Sequence, residues 1–152
     1  MPGGEDIYHW ALLVGPKSDK KEDEGVRYHA RERIKQYGGA EWVFEELSVS
    51  MMPTQMILVR LVIAKVENVE KLAQARSRGV WNCVSWVKEA LFYIEASKNV
   101  IGTSVVEWEP VRNAAMTYCK QKKEQHRFDG KGKYDTSRVP TFHLTLEEET
   151  IE

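Results

Sequence analysis

The chain has two cysteines in 152 residues, Cys83 and Cys119, 36 positions apart. One such pair does not frame a disulfide-stapled fold, and a chain of this length buries a core without staples or a structural metal. Long hydrophobic runs are missing as well. The longest, Met56 to Val66, is interrupted by Arg60 and Lys65 and falls short of the roughly 18–20 residues that span a bilayer. Neither sign of charge is in excess: 22 Lys and Arg stand against 23 Asp and Glu, a net charge of -1. Nucleic-acid binders usually carry a clear basic surplus, so none is expected as a partner. The opening Pro2-Gly3-Gly4-Glu5-Asp6 has neither the basic start nor the apolar stretch of a secretory signal. Gly38-Gly39 is a turn and not a phosphate-binding loop. His126 and His143 are isolated, with no two-histidine spacing of a zinc site. There is no internal repeat and no low-complexity block. These absences lead to the expectation of a cytoplasmic protein with free thiols, no metal, no cofactor and no membrane partner. Its oligomeric state is left open.

What is present reads as one domain over 1–152, with a core at about 6–125 and an extended C-terminal segment over 126–152. Ile7 to Gly15 is apolar enough for a strand covered on both faces. Pro16 to Gly25 is a charged loop. Val26 to Arg31 alternates with period two and should pair with the first strand as a hairpin. Tyr37-Gly38-Gly39 turns the chain into a third strand, Glu41 to Leu47, with alternation over Trp42, Phe44 and Glu46. Met56 to Val66 is a fourth, rich in β-branched residues. Helices follow: Val69 to Arg76 behind an Asn68 cap, Cys83 to Ser97, and Glu109 to Gln125 with Pro110 in the first turn. Asn99 to Glu107 is irregular or a short strand. Thr141 to Leu146 reads as a docking strand, and the acidic end from Glu147 as frayed. The fold class is α+β, a small antiparallel sheet packed against helices.

Cys83 is the residue with chemistry in its placement. It follows Asn82, a good N-cap, and opens the apolar periodicity Val84, Val87, Leu91, Ile94. The thiol then lies in a helical first turn, where unpaired N–H groups and the helix dipole favour a thiolate. Period-two counting puts His9 on one face of the first strand with Ile7, Ala11 and Leu13. On the second strand His29 shares a face with Arg27 and Arg31. Pairing of the two strands makes the histidines near neighbours, with His29 available to orient His9 as a base. The flanking arginines equally fit a solvated face for His29. Cys83 equally fits a small buried hydrophobe. Should His29 not orient His9, Glu45 or Glu46 of the third strand comes next.

The words His9-Trp10-Ala11-Leu12-Leu13-Val14-Gly15 and Asn82-Cys83-Val84-Ser85-Trp86 carry a resemblance. A strand-borne His, a second His one loop later and Asn-Cys opening a helix resemble the circularly permuted papain-like proteins of the lecithin:retinol acyltransferase and NlpC-type superfamily. The same words are similar to a small fungal family of uncharacterised proteins. The resemblance covers about residues 7 to 97. It implies a permuted papain-like fold, Cys83 as nucleophile, His9 as general base, His29 as its orienter, and the Cys83 N–H as part of an oxyanion site. Trp81 stands where some of those proteins have a Tyr, and no hydrophobic anchor follows the helix.

Among the five tryptophans, Trp10, Trp81 and Trp86 are the candidates for lining a substrate cleft, suited to an aromatic, acyl or polycyclic small molecule. Cys119 reads as core. The basic run Lys120, Lys122, Lys123, Arg127, Lys131 and Lys133 reads as a solvated face. Three functions stay open at this point. One is an intracellular cysteine-dependent hydrolase or acyltransferase acting on an amide, ester or thioester. Another is a non-catalytic ligand-binding protein of the same fold. The third is a small tailoring enzyme of natural-product biosynthesis, with an aromatic-lined pocket and His9 as acid–base group.

Overall fold

The structure, a computed structural model, describes residues 4–16, 23–52, 57–68, 82–97 and 101–151. Period-two alternation builds its longest elements. Strand β1 (Leu12–Val14) pairs antiparallel with β2 (Glu24–Ile34), which pairs antiparallel with β3 (Ala40–Ser50). The β2–β3 hairpin closes at Gly38 and Gly39, whose φ values of 93° and 84° suit residues without a Cβ. The Lys35 N–H donates to the Gly39 carbonyl at 3.0 Å across that turn. The turn sets Ile34 opposite Ala40, and the register then places His29 opposite Glu45 and Ala30 opposite Phe44.

One face of this sheet carries Leu12, Val14, Val26, Tyr28, Ala30 and Phe44 into the core, where helix α1 (Cys83–Ala96) meets it. Helix α1 buries Cys83, Val84, Trp86, Val87, Ala90, Leu91 and Ile94, the stripe that helical spacing dictates. Helix α2 (Trp108–Glu124) adds Val111, and Trp108 packs against the same cluster. Two further small sheets complete the frame. Strand β4 (Arg60–Val62) runs parallel to β7 (Thr141–His143), which pairs antiparallel with β8 (Glu148–Ile151). Strand β5 (Ala64–Val66) pairs antiparallel with β6 (Ile101–Ser104). The result is a mixed α+β fold with small sheets, antiparallel and mixed, packed against two described helices. Among the described residues no helix is long and apolar enough to cross a membrane.

Several expectations are corrected. The first strand does not run from Ile7 to Gly15. Residues Glu5–Ile7 form a 3-10 turn after Gly4, and strand pairing begins only at Leu12. The turn is tied locally, with the Trp10 indole N–H donating to the Glu5 carbonyl at 3.0 Å. The expected fourth strand is split at Ile63, because its halves serve different sheets. The Val62 carbonyl accepts from the Leu144 N–H, and the Ile63 carbonyl accepts from the Val105 N–H. Nor is the acidic C-terminus frayed. It forms β8, where Glu149 pairs with Lys122 and accepts a hydrogen bond from the Tyr118 hydroxyl. The basic run is therefore not wholly a solvated face: Lys122 and Arg127 are buried. Two Arg127 Nη2 hydrogen bonds, to the carbonyls of Asp135 and Arg138, hold the chain after α2. The expected helix over 69–76 lies outside the described residues.

Candidate functional site

Local sequence positions the thiol. Asn82 caps α1 in an extended conformation, its side chain accepting from the Ser85 N–H at 2.9 Å. The Asn82 N–H donates back to the Ser85 hydroxyl at 3.0 Å, a capping box with serine in the returning position. The cap takes the third N–H of the helix and leaves those of Cys83 and Val84 unengaged by it, as in any first turn. Cys83 is buried, and its S–H donates to the Tyr8 carbonyl at 3.7 Å. No hydrogen bond joins the thiol to the His9 ring. The acceptor is instead the peptide group immediately before His9.

The two histidines do meet. The Nε2 of His9 and the Nδ1 of His29 are 2.7 Å apart, with the rings edge to face at 5.0 Å between centroids. His29 is only 4% exposed, which overturns the solvated reading that its arginine neighbours suggested. Its other nitrogen explains that burial: Nε2 lies 2.8 Å from Glu45 Oε2, and a buried imidazole with both nitrogens bonded has no polar group left bare. The second oxygen of Glu45 accepts from Arg31 Nε at 2.7 Å. A chain of hydrogen bonds thus runs His9, His29, Glu45, Arg31.

Electrostatics follow from these contacts. His9 is exposed overall, yet its pKa is lowered, first by desolvation of the ring and then by the charges of His29 and Arg27. A neutral imidazole is favoured, the form in which histidine accepts a proton. The Glu45 carboxyl is held below its usual range, first by its hydrogen bond to His29 and then by that to Arg31. Tyr8 touches both thiols. Its carbonyl accepts from Cys83, and its phenol is pushed above its ordinary value first by a side-chain hydrogen bond with Cys119 and then by desolvation.

The strand alternation has one further consequence. It sends Tyr28 and Ala30 toward α1 and His29 with Glu45 to the other face of the sheet. His9 precedes the edge strand β1, and the Tyr8–His9 segment touches both groups, the Tyr8 carbonyl accepting from the thiol while the His9 ring joins His29. Of the expected lining residues, Trp86 is 2% exposed and packs on Phe44 at 5.6 Å, its indole N–H buried without a partner among the described residues. Trp10 lies 5.4 Å from Trp108, half-buried at the edge of the core, and Trp81 lies outside the described residues. Cys119 is buried in α2 as expected. His126 pairs with Asp129, and His143 is buried beside Thr145. No group of three metal-ligating side chains occurs among the described residues.

Glu45 is the residue that sequence reasoning placed too far back, as a substitute for His29 and not its partner. Counting outward from the Gly38-Gly39 turn was the signal that pairs them. No curated protein and no solved structure matches this chain. The model of a family of unknown function, DUF6914, matches residues 1–151, and the chain belongs to that family.

Proposed function

We propose that this protein is a cysteine-dependent hydrolase or acyltransferase acting on an amide, ester or thioester, with Cys83 as nucleophile, His9 as general base and His29 as the group that orients His9. A permuted papain-like arrangement belongs to the same proposal. One observation carries it: a thiol in a capped helical first turn sits one peptide group from a histidine whose ring is hydrogen-bonded to a second histidine. Those are the parts of an activated nucleophile.

In the reaction the thiol leaves the Tyr8 carbonyl and gives its proton to His9. Catalytic hydrogen bonds of unliganded sites often form only once substrate is bound. The sulfur electron pair attacks the carbonyl carbon, and the carbonyl oxygen takes up negative charge beside the first-turn N–H of Cys83. Collapse breaks the bond to the amine, alcohol or thiol, which leaves with the proton from His9. The acyl group remains as a thioester on Cys83. Water or a second nucleophile, deprotonated by His9, then removes it and restores the thiol.

A competing reading, a ligand-binding protein with Cys83 as a structural thiol, draws on the thiol's burial and its hydrogen bond to Tyr8. Thiol reactivity separates the two. Iodoacetamide at about pH 6.5 should label Cys83 faster than Cys119, since the thiolate is the reacting form, and His9→Ala should slow that labelling. Equal rates at both cysteines in the folded protein would leave the structural reading standing.

A further inference from the structure

We propose that Glu45, clamped by Arg31, is the positioning residue that sets the tautomers of both histidines and leaves Nδ1 of His9 as the proton-accepting nitrogen. The tautomer order follows from the donor and acceptor inventory of an ionised Glu45 and a neutral His29. Naming Nδ1 as the base nitrogen rests on the reading of His9 as base.

An ionised carboxylate only accepts hydrogen bonds. With Oε2 of Glu45 2.8 Å from Nε2 of His29, that nitrogen must carry the hydrogen. Neutral imidazole has one N–H, so Nδ1 of His29 carries a lone pair. The 2.7 Å contact to His9 is then a hydrogen bond only when Nε2 of His9 donates. One lone pair remains in the chain, on Nδ1 of His9. A proton taken there produces an imidazolium whose Nε2–H already points at an acceptor, so no further proton has to move.

The clamp depends on register. His29 faces Glu45 directly across β2 and β3, and Arg31 is two residues along on the same face. One carboxylate oxygen therefore reaches His29 while the other accepts from Arg31 Nε at 2.7 Å. The Glu45 side chain is 27% exposed and that of Arg31 45%, so water competes at this end. Arg31 supplies the second anchor that keeps the carboxylate turned inward. Without Glu45, either nitrogen of His29 can hold the hydrogen, and His9 loses its fixed acceptor.

The test is long-range ¹H–¹⁵N spectroscopy of the full chain with ¹⁵N-labelled histidine, near neutral pH, with signals assigned by His9→Gln and His29→Gln. Parent protein should show His9 and His29 each protonated at Nε2 alone. Glu45→Ala, shown folded by circular dichroism, should give mixed tautomers at both rings and slow Cys83 alkylation by roughly tenfold, the lower end of what a metal-bound imidazole loses with its outer partner. Glu45→Gln keeps one acceptor oxygen where the clamp uses two, so His29 and Arg31 compete for it, and both the tautomers and the rate should fall between those of the parent and those of Glu45→Ala. Arg31→Ala serves if Glu45→Ala does not fold, and should mix the tautomers in part. The proposal is overturned if His29 carries hydrogen on both nitrogens, if His9 carries it on Nδ1, or if neither Glu45→Ala nor Arg31→Ala changes the tautomers. If the tautomers respond as stated while Cys83 reacts no faster than Cys119, the positioning role stands and the thiol-enzyme reading falls.

Discussion

Neutralising Glu149 should destabilise this protein more than removing the charge of Lys122. The Lys122 side chain is 2% exposed and its partner 29%, so the ammonium depends on this carboxylate while the carboxylate keeps access to water. Glu149→Gln leaves a buried cation against a neutral amide, with the Tyr118 ring 5.5 Å away as its remaining support. Removing one partner of a fully buried pair costs about 3–5 kcal/mol. With the lost partner partly solvated, about 2–3 kcal/mol is expected. For a domain of this size that lowers Tm by about 4–12 °C. Lys122→Met fills much the same volume and leaves Glu149 with water and the Tyr118 hydroxyl, which donates to it. Its cost should stay below about 1 kcal/mol. The assay is urea unfolding followed by circular dichroism, comparing midpoints at constant slope, with the double variant closing a cycle. Lys122→Met proving as damaging as Glu149→Gln would refute the reasoning. The ammonium's burial would then be no guide to which partner depends on the other.

Two further outcomes follow from packing and from titration. Leu91 is 1% exposed at the centre of α1 and Phe92 beside it is 65% exposed, so Leu91→Ala should cost about 2–5 kcal/mol and Phe92→Ala within about 0.5 kcal/mol of nothing. Similar midpoints for the two would place the core elsewhere. The pKa of His9 is lowered from 6.5 and that of Glu45 from 4.5, so in both cases the unfolded chain binds the proton more readily. Stability contributed by each group is present above its unfolded value and lost as pH falls through its folded one. Acidification should therefore weaken the protein first below about pH 6.5 through His9 and then below about pH 4.5 through Glu45. His9→Gln should flatten the upper part of the urea-midpoint profile. A parallel profile would show that the His9 ring titrates as it does in the unfolded chain.

The sequence by itself determined what short-range geometry governs. Asn82 before an apolar period of 3.6 specifies where α1 begins, and hence a thiol in its first turn. Period-two alternation on either side of Gly38-Gly39 specifies the β2–β3 hairpin, and the pairing of the N-terminal strand with β2 brings His29 toward His9. The expected free thiols are found, with Cys83 and Cys119 both buried and unpaired. What depends on distant partners was decided only in the tertiary structure. The flanks of His29 read as solvated because its burial comes from His9 and from Glu45 across the hairpin. Lys122 read as a surface cation because its carboxylate arrives 27 positions later, on β8. Met56 to Val66 read as one strand because nothing local marks Ile63 as the point where the chain changes sheets. The thiol's acceptor was decided in the same way: the turn at Glu5–Ile7 presents the Tyr8 carbonyl to Cys83. Periodicity records which face a side chain takes, and only the assembled fold determines what covers that face.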